Sequence, residues 1–104
     1  MLEQTACIYG LLDPQTGEIR YIGQSVNPKK RLMAHRSWAI RGGEQSPKAD
    51  WIRALHRLNL RPGLVILERV KINKANHVEI DWFIYALANN WPLLNNKREL
   101  TRAA

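Results

Sequence analysis

Two short apolar runs separated by a turn sequence constrain the fold of this chain more than any other feature. The runs extend over residues 7–12 and 19–24, and the segment between them reads Asp13-Pro14-Gln15-Thr16-Gly17. Proline presets the backbone for the second position of a turn, and glycine tolerates a positive φ. Residues 7–24 are therefore predicted to form a β-hairpin.

The register of this hairpin places two phenols together. A loop of residues 14–16 would set Tyr9 opposite Tyr21, and opposed residues of a hairpin lie on one face of the sheet. The simpler alternative is that both residues occur here because tyrosine is a good strand former.

The helix that follows adds two polar side chains. Asn27 and Pro28 are typical of an N-cap and a first helical residue, which predicts a helix from Pro28 to about Ile40. Arg31 and His35 are four residues apart and therefore share one face of this helix. We expect an arginine and a histidine beside the two phenols.

Three further elements are predicted from the rest of the chain. Ser46 caps a helix over residues 47–58, whose apolar stripe consists of Trp51, Ile52, Leu55 and Leu58. The apolar run at residues 64–67 suits a third strand buried on both faces, beside the hairpin. Asn73 caps a helix over residues 74–89, and the charged tail after Asn96 is expected to fray.

Glu79 occupies an unusual position on that last helix. At about 100° per residue it falls within an apolar arc made of Ile80, Trp82, Phe83, Ala86 and Leu87, whereas Asp81 falls on the solvent side. A carboxylate on a buried face is costly unless it is paired or holds a metal. The two interpretations are a metal ligand and a structural ion pair with an arginine.

The positive charge is concentrated in one segment. The chain carries a net charge of +7, and residues 20–61 contain ten Lys or Arg against only Glu44 and Asp50, so the remainder is close to neutral. A basic surface indicates a polyanionic partner, nucleic acid first, and no aromatic stripe accompanies it that would suit a membrane. A generically basic protein is the alternative. The predicted nucleic-acid contacts are Lys29, Lys30, Arg36, Arg53 and Arg57.

Several classes of protein are disfavoured. Cys7 is the only cysteine, which rules out an internal disulfide and favours a reducing, cytoplasmic location. No signal peptide is recognisable, and the longest apolar run is too short to cross a bilayer. The three histidines lack zinc-ligand spacing, and covalent catalysis by a Cys7–His35 pair is disfavoured. The four tryptophans are predicted to be core residues.

These residues, in this order, resemble the GIY-YIG nuclease family. Its first motif has cysteine in place of glycine here, and the second motif is intact. The matching positions are Cys7-Ile8-Tyr9, Tyr21-Ile22-Gly23, Gln24-Ser25, Arg31-Leu32, His35, Glu79 and Leu94-Asn95. They extend over nearly the whole chain.

The resemblance implies a stand-alone domain over residues 1–104 with an α+β fold: a small central three-stranded antiparallel β-sheet flanked by helices. It implies that Glu79 is the single ligand of Mg²⁺ or Mn²⁺ and that Asn95 supports the site. The implied catalytic residues are Tyr9, Tyr21, Arg31, His35, Glu79 and Asn95.

The chemistry of these side chains suits phosphodiester hydrolysis. Arg31 offers a fork that matches phosphate oxygens, and either phenol could orient or deprotonate a water. A free phenol has a pKa of about 10, so a tyrosine base needs nearby positive charge. The expected function is a metal-dependent DNA endonuclease, and the alternative is a non-catalytic nucleic-acid-binding module that kept the fold. The sequence leaves open whether the substrate is DNA or RNA and which phenol is the base. It also leaves open whether the protein acts alone, as a homodimer or with a protein partner.

Overall fold

The computed structural model describes residues 4–103. Met1, Leu2, Glu3 and Ala104, which the predicted domain includes, lie outside the described residues. The elements are β1 (Thr5–Leu12), β2 (Ile19–Ser25), α1 (Pro28–Ile40), α2 (Pro47–Arg57), β3 (Gly63–Lys71), a 3-10 turn (Ile72–Lys74), α3 (Ala75–Ala88) and α4 (Lys97–Thr101). Between residues 4 and 103, no helix combines the length and the hydropathy that a membrane span requires.

A three-stranded antiparallel sheet with the order β2-β1-β3 forms the centre of the α+β fold, as predicted. Successive strand residues point to opposite faces. On one face Ile8 and Ile22 pack with Phe83 of α3. On the other face the buried Tyr9 and Tyr21 belong to a cluster that also contains Leu11, Leu32 and Trp51. Thus α3 covers one face of the sheet, and α1 and α2 cover the other.

The predicted pairing of Tyr9 with Tyr21 is wrong, but the predicted shared face is confirmed. Tyr9 pairs with Gly23, and Tyr21 pairs with Leu11. The observed strand register differs from the predicted one by two single-residue shifts. The turn is longer than expected, because the Asp13 N–H bonds to the Glu18 carbonyl, and the pairing shifts again between Leu11 and Leu12. Because two single-residue shifts leave each side chain on its predicted face of the sheet, the phenols still lie side by side. Their ring centroids are 6.5 Å apart.

Side-chain caps fix the starts of α1 and α2 where the sequence predicts them. The Asn27 side chain accepts a hydrogen bond from the Lys30 N–H, and the Ser46 hydroxyl accepts one from the Ala49 N–H. Helix α1 has the predicted bounds, whereas α2 ends one residue early. Leu58, which was predicted on the apolar stripe, is therefore the C-cap and is exposed.

Four other predictions are wrong. Asn73 does not cap α3, because it lies within the 3-10 turn that precedes the helix. Strand β3 is half-buried instead of buried on both faces, because α3 packs mainly on β2 and β1. Trp38 is 55% exposed instead of lying in the core, and Leu87 is also exposed.

The segment after Asn96 does not fray, contrary to the prediction. It forms α4, which begins with a reciprocal capping box. The Asn96 side chain accepts from the Glu99 N–H, and the Glu99 carboxylate accepts from the Asn96 N–H. This satisfies two backbone donors that a short helix would otherwise leave to water.

Candidate active site

Strand alternation and helix periodicity together bring Tyr9, Tyr21 and His35 into contact. Tyr9 Oη lies 2.9 Å from His35 Nε2, and both residues are buried. The Tyr21 ring packs edge-on against the imidazole with 5.2 Å between centroids. Arg31, one turn before His35 on α1, lines a cavity of about 270 Å³ beside it. We call Tyr9, Tyr21, Arg31 and His35 the phenol face.

A glycine in β2 makes room for the Tyr9 phenol. A Cβ atom on Gly23 would lie 2.5 Å from Tyr9 Oη and 2.6 Å from Cζ, so any other residue would displace the ring. The cysteine that replaces the expected glycine of the first motif lies elsewhere. Cys7 is buried in β1, and its sulfur lies 3.2 Å from Nη1 of Arg69 on β3. The cysteine therefore leaves the phenol face intact.

Burial makes both phenols weaker acids than free tyrosine. It raises the pKa of Tyr9 to about 12, although the charge and hydrogen bonding of Arg31 oppose part of that rise. Burial also raises the pKa of Tyr21, and the nearby Glu99 carboxylate raises it further. Arg31 thus supplies the positive charge that a tyrosine base needs, but desolvation outweighs it. Tyr9 is the easier of the two phenols to ionise.

His35 is neutral at physiological pH. Burial, followed by the cations of Lys48 and Arg31, lowers its pKa to about 4. The Lys48 ammonium lies 3.0 Å from His35 Nδ1, on the opposite side of the ring from Tyr9. This imidazole is held between a phenol and an ammonium group.

Lys48 was not predicted as a site residue. Its ammonium lies 3.3 Å from the Glu44 carboxylate and 4.6 Å from the centroid of the Tyr21 ring. Two sequence signals could have identified it. Lysine in the first turn of α2 is unfavourable for the helix dipole, and Glu44 stands four residues before it.

Glu79 lies across the sheet from the phenol face. It is buried on α3, as the apolar arc predicts. Its Oε1 accepts from Arg102 Nη1 at 2.9 Å and from Gln24 Nε2 at 3.3 Å. The arginine pairing, one of the two interpretations of this carboxylate, is therefore present. Among residues 4–103, no group of three or more His, Cys, Asp or Glu side chains could hold a metal ion.

Asn95 attaches the C-terminal segment to the outer edge of β2. Its side chain accepts from the Ile22 N–H at 3.0 Å and donates to the Ile22 carbonyl at 2.8 Å, as a neighbouring strand would. Glu99, which was not predicted, accepts from the Tyr21 hydroxyl at 3.4 Å and from Asn95 at 3.2 Å. The capping-box spacing from Asn96 was its only sequence signal. We call Glu79, Asn95, Glu99 and Arg102 the carboxylate edge.

The predicted site residues therefore fall into two groups. Tyr9, Tyr21, Arg31 and His35 converge on one face, and Asn95 is linked to Tyr21 through Glu99. Within the described part of the chain, no hydrogen bond or ion pair joins Glu79 to the phenol face. The Glu79 charge still contributes to the raised pKa of Tyr9, so the two groups interact through space.

The predicted nucleic-acid contacts differ in their freedom to bind. Lys29, Lys30 and Arg57 are exposed, and Arg36 is half-buried. Arg53 instead donates to the Ala39 and Glu44 carbonyls and pairs with Asp50, so it fastens α2 to the end of α1.

Comparisons of the chain with family models, with curated proteins and with solved structures each give no match. The interpretation of the site depends on its residues and geometry.

Proposed function

We propose that this chain is a metal-dependent endonuclease that hydrolyses phosphodiester bonds in DNA. The observation that carries the proposal is the contact of the buried Tyr9 phenol with His35, beside the exposed Arg31, on a strongly basic domain. His35 and Arg31 line one cavity, and the buried Tyr9 hydroxyl contacts His35. The phenol, the neutral imidazole and the guanidinium supply a water-orienting group, a hydrogen-bond donor and a phosphate-binding group.

Arg31 would bind the scissile phosphate and stabilise the charge that develops on its oxygens. Its fork of donors matches two phosphate oxygens, and its position on the cavity leaves it accessible. Lys29 and Lys30, which directly precede Arg31 in the first turn of α1, would contact neighbouring phosphates. RNA offers the same phosphate chemistry, so it stays an alternative substrate.

Tyr9 is the better candidate for the group that orients and deprotonates the attacking water. Its pKa is raised less than that of Tyr21, and Arg31 opposes the rise. The Tyr21 hydroxyl is already directed to Glu99. We therefore assign the orientation of the water to the Tyr9 hydroxyl, and its deprotonation to the Tyr9 phenolate that forms when this phenol first loses its own proton to solvent. Tyr21 has a packing role against His35.

The carboxylate edge offers one hard oxygen ligand for a metal ion. Glu79 suits Mg²⁺ or Mn²⁺ that keeps most of its water, since one carboxylate cannot form a closed protein cage. The Glu79 charge acts on Tyr9 through space, so an ion bound at Glu79 would add positive charge to the same site and would neutralise charge on the leaving oxygen. Arg102 competes for the same carboxylate, so the fit requires this arginine to give way.

That ion pair favours a second candidate function. If Arg102 keeps Glu79 permanently neutralised, the domain would bind nucleic acid through its basic surface without cutting it. The phenols and His35 would then have only a packing role.

A plasmid assay tests the proposal against this alternative. Supercoiled plasmid is incubated with the protein and Mg²⁺ or Mn²⁺, with and without a chelator, and binding to the same DNA is measured in chelator. Nicking that needs metal and is lost in Arg31→Ala supports the endonuclease. Binding without nicking supports the non-catalytic module. Absence of both contradicts a nucleic-acid function.

A further inference from the structure

Lys48 is the most completely enclosed lysine that touches the candidate site. Its ammonium contacts His35 Nδ1, the Glu44 carboxylate and the face of the Tyr21 ring. A buried cation is costly unless it is paired and hydrogen-bonded, and these contacts compensate its charge. One of these contacts is to an imidazole and not to a carboxylate, so Lys48 acts on His35 as well as packing α2 onto α1.

We propose that Lys48 is a positioning residue that fixes the tautomer of His35, so that the Nε2–H of His35 donates to the Tyr9 hydroxyl. An ammonium group has three donors and no acceptor, so His35 Nδ1 must be the acceptor in this contact. A neutral imidazole then carries its single hydrogen on Nε2, which lies 2.9 Å from Tyr9 Oη.

The tautomer decides where the Tyr9 proton points. When Tyr9 accepts from His35, its own proton is not committed to Nε2, and its oxygen can also accept from the Arg31 guanidinium. If that proton is lost to solvent, the phenolate keeps the hydrogen bond from Nε2–H and can then accept a proton from the attacking water. In the other tautomer Tyr9 would donate to Nε2, and its proton would point away from a substrate. Only the first arrangement suits a proton acceptor, so this consequence rests on the proposed endonuclease.

The start of α2 holds the ammonium in place. The Ser46 hydroxyl, which caps α2, also donates to Glu44 Oε2 at 2.6 Å, and this same oxygen pairs with Lys48. Burial would raise the pKa of Glu44, but the Ser46 hydrogen bond and the Lys48 charge outweigh it and hold the pKa below its usual value. The charged groups that act on His35 are thus Lys48, Arg31 and Glu44.

Nitrogen NMR of the wild-type protein at neutral pH tests the tautomer directly. Spectra of His56→Gln and His77→Gln, which change exposed residues, identify the His35 signals. We expect an unprotonated Nδ1 and a protonated Nε2. A protonated Nδ1 would overturn the proposal. This result does not depend on any nuclease activity, so failure of the tautomer and failure of the proposed function are distinguishable.

Lys48→Met tests the role in the reaction, with Lys74→Met as the control at an exposed lysine outside the site. Loss of the ammonium should produce a mixture of His35 tautomers. It should slow plasmid nicking about 10- to 100-fold, the range seen when the hydrogen-bond partner that orients a metal-binding histidine is removed. The nicking rate should also rise at a higher pH than in wild type, because Tyr9 loses its fixed donor. An unchanged His35 spectrum, or an unchanged pH profile of nicking, would overturn the proposal.

Discussion

The phenol face and the carboxylate edge differ in what must change before each meets a substrate. On the phenol face Arg31 lines an open cavity, and no ion pair within residues 4–103 involves it. At the carboxylate edge Glu79 is buried and already neutralised by Arg102. We infer that a phosphate can bind the first group without rearrangement, whereas a cation can bind the second only after Arg102 withdraws.

Loss of the Tyr9 hydroxyl should cause the largest fall in the cleavage rate. This result would confirm that the reaction takes place at the phenol face. We expect Tyr9→Phe to slow single-turnover plasmid cleavage about 10²- to 10⁴-fold, the usual contribution of a positioned acid or base. Tyr21→Phe is the matched control and should lose less, because its hydroxyl faces Glu99. Equal losses in both variants would remove the distinction between the phenols.

Acid should destabilise the phenol face through His35. Its pKa of about 4 lies below the ordinary 6.5, so the unfolded chain takes up a proton as pH falls while the folded protein does not. The free energy of unfolding is therefore highest above about pH 6.5. It falls by about 3 kcal/mol as the pH decreases to about 4. Urea unfolding at a series of pH values checks this. His35→Gln should lose this part of the pH dependence and the exposed His77→Gln should not; identical curves would refute a buried, neutral His35.

Substitution of Arg102 tests whether the carboxylate edge is occluded. Arg102→Gln should raise the affinity for Mn²⁺ in the absence of DNA about tenfold, because the cation no longer competes with a guanidinium for Glu79. The stability cost should approach about 3–5 kcal/mol, because Glu79 is buried and loses its charged partner, although Gln24 still donates to it. Calorimetric titration measures the affinity. If Arg102→Gln binds Mn²⁺ no better than wild type, Arg102 does not block a metal site.

The smallest effects are expected from the exposed lysines of α1. Each neutralised phosphate releases counterions, so DNA affinity measured without metal should fall steeply with salt. Lys29→Ala and Lys30→Ala should each reduce the slope of log affinity against log salt by about 1. Lys74→Ala, which lies outside the predicted interface, should leave the slope unchanged. A flat salt dependence in wild type would contradict phosphate binding at the phenol face.

The phenol face was largely predictable because local rules determine it. Strand alternation placed Tyr9 and Tyr21 on one face even though the predicted register was wrong, since two shifts of one residue cancelled. Asn27 fixed the start of α1, and helix periodicity then placed Arg31 and His35 on one face. Lys48 was missed because its contact with His35 depends on how α2 packs against α1.

The carboxylate edge was less predictable because it depends on the path of the C-terminal segment. The apolar arc correctly indicated that Glu79 is buried, but nothing in the pattern identified Arg102 as its partner. Asn95 was noted through the family resemblance alone, and its pairing with the backbone of Ile22 became visible only in three dimensions. Sequence patterns did not reveal these contacts between distant segments, because they form only when the C-terminal segment covers the edge of β2.

Glu79→Gln provides the most direct test of whether the phenol face and the carboxylate edge act together in cleavage. Gln keeps the shape of the side chain and removes the charge that a metal requires. We predict that wild type nicks supercoiled plasmid in Mn²⁺ and not in chelator. We also predict that Glu79→Gln binds the same DNA equally well but cuts it at least about 100-fold more slowly. A Glu79→Gln protein that melts earlier than wild type yet nicks at the wild-type rate would show that Glu79 is only the structural partner of Arg102.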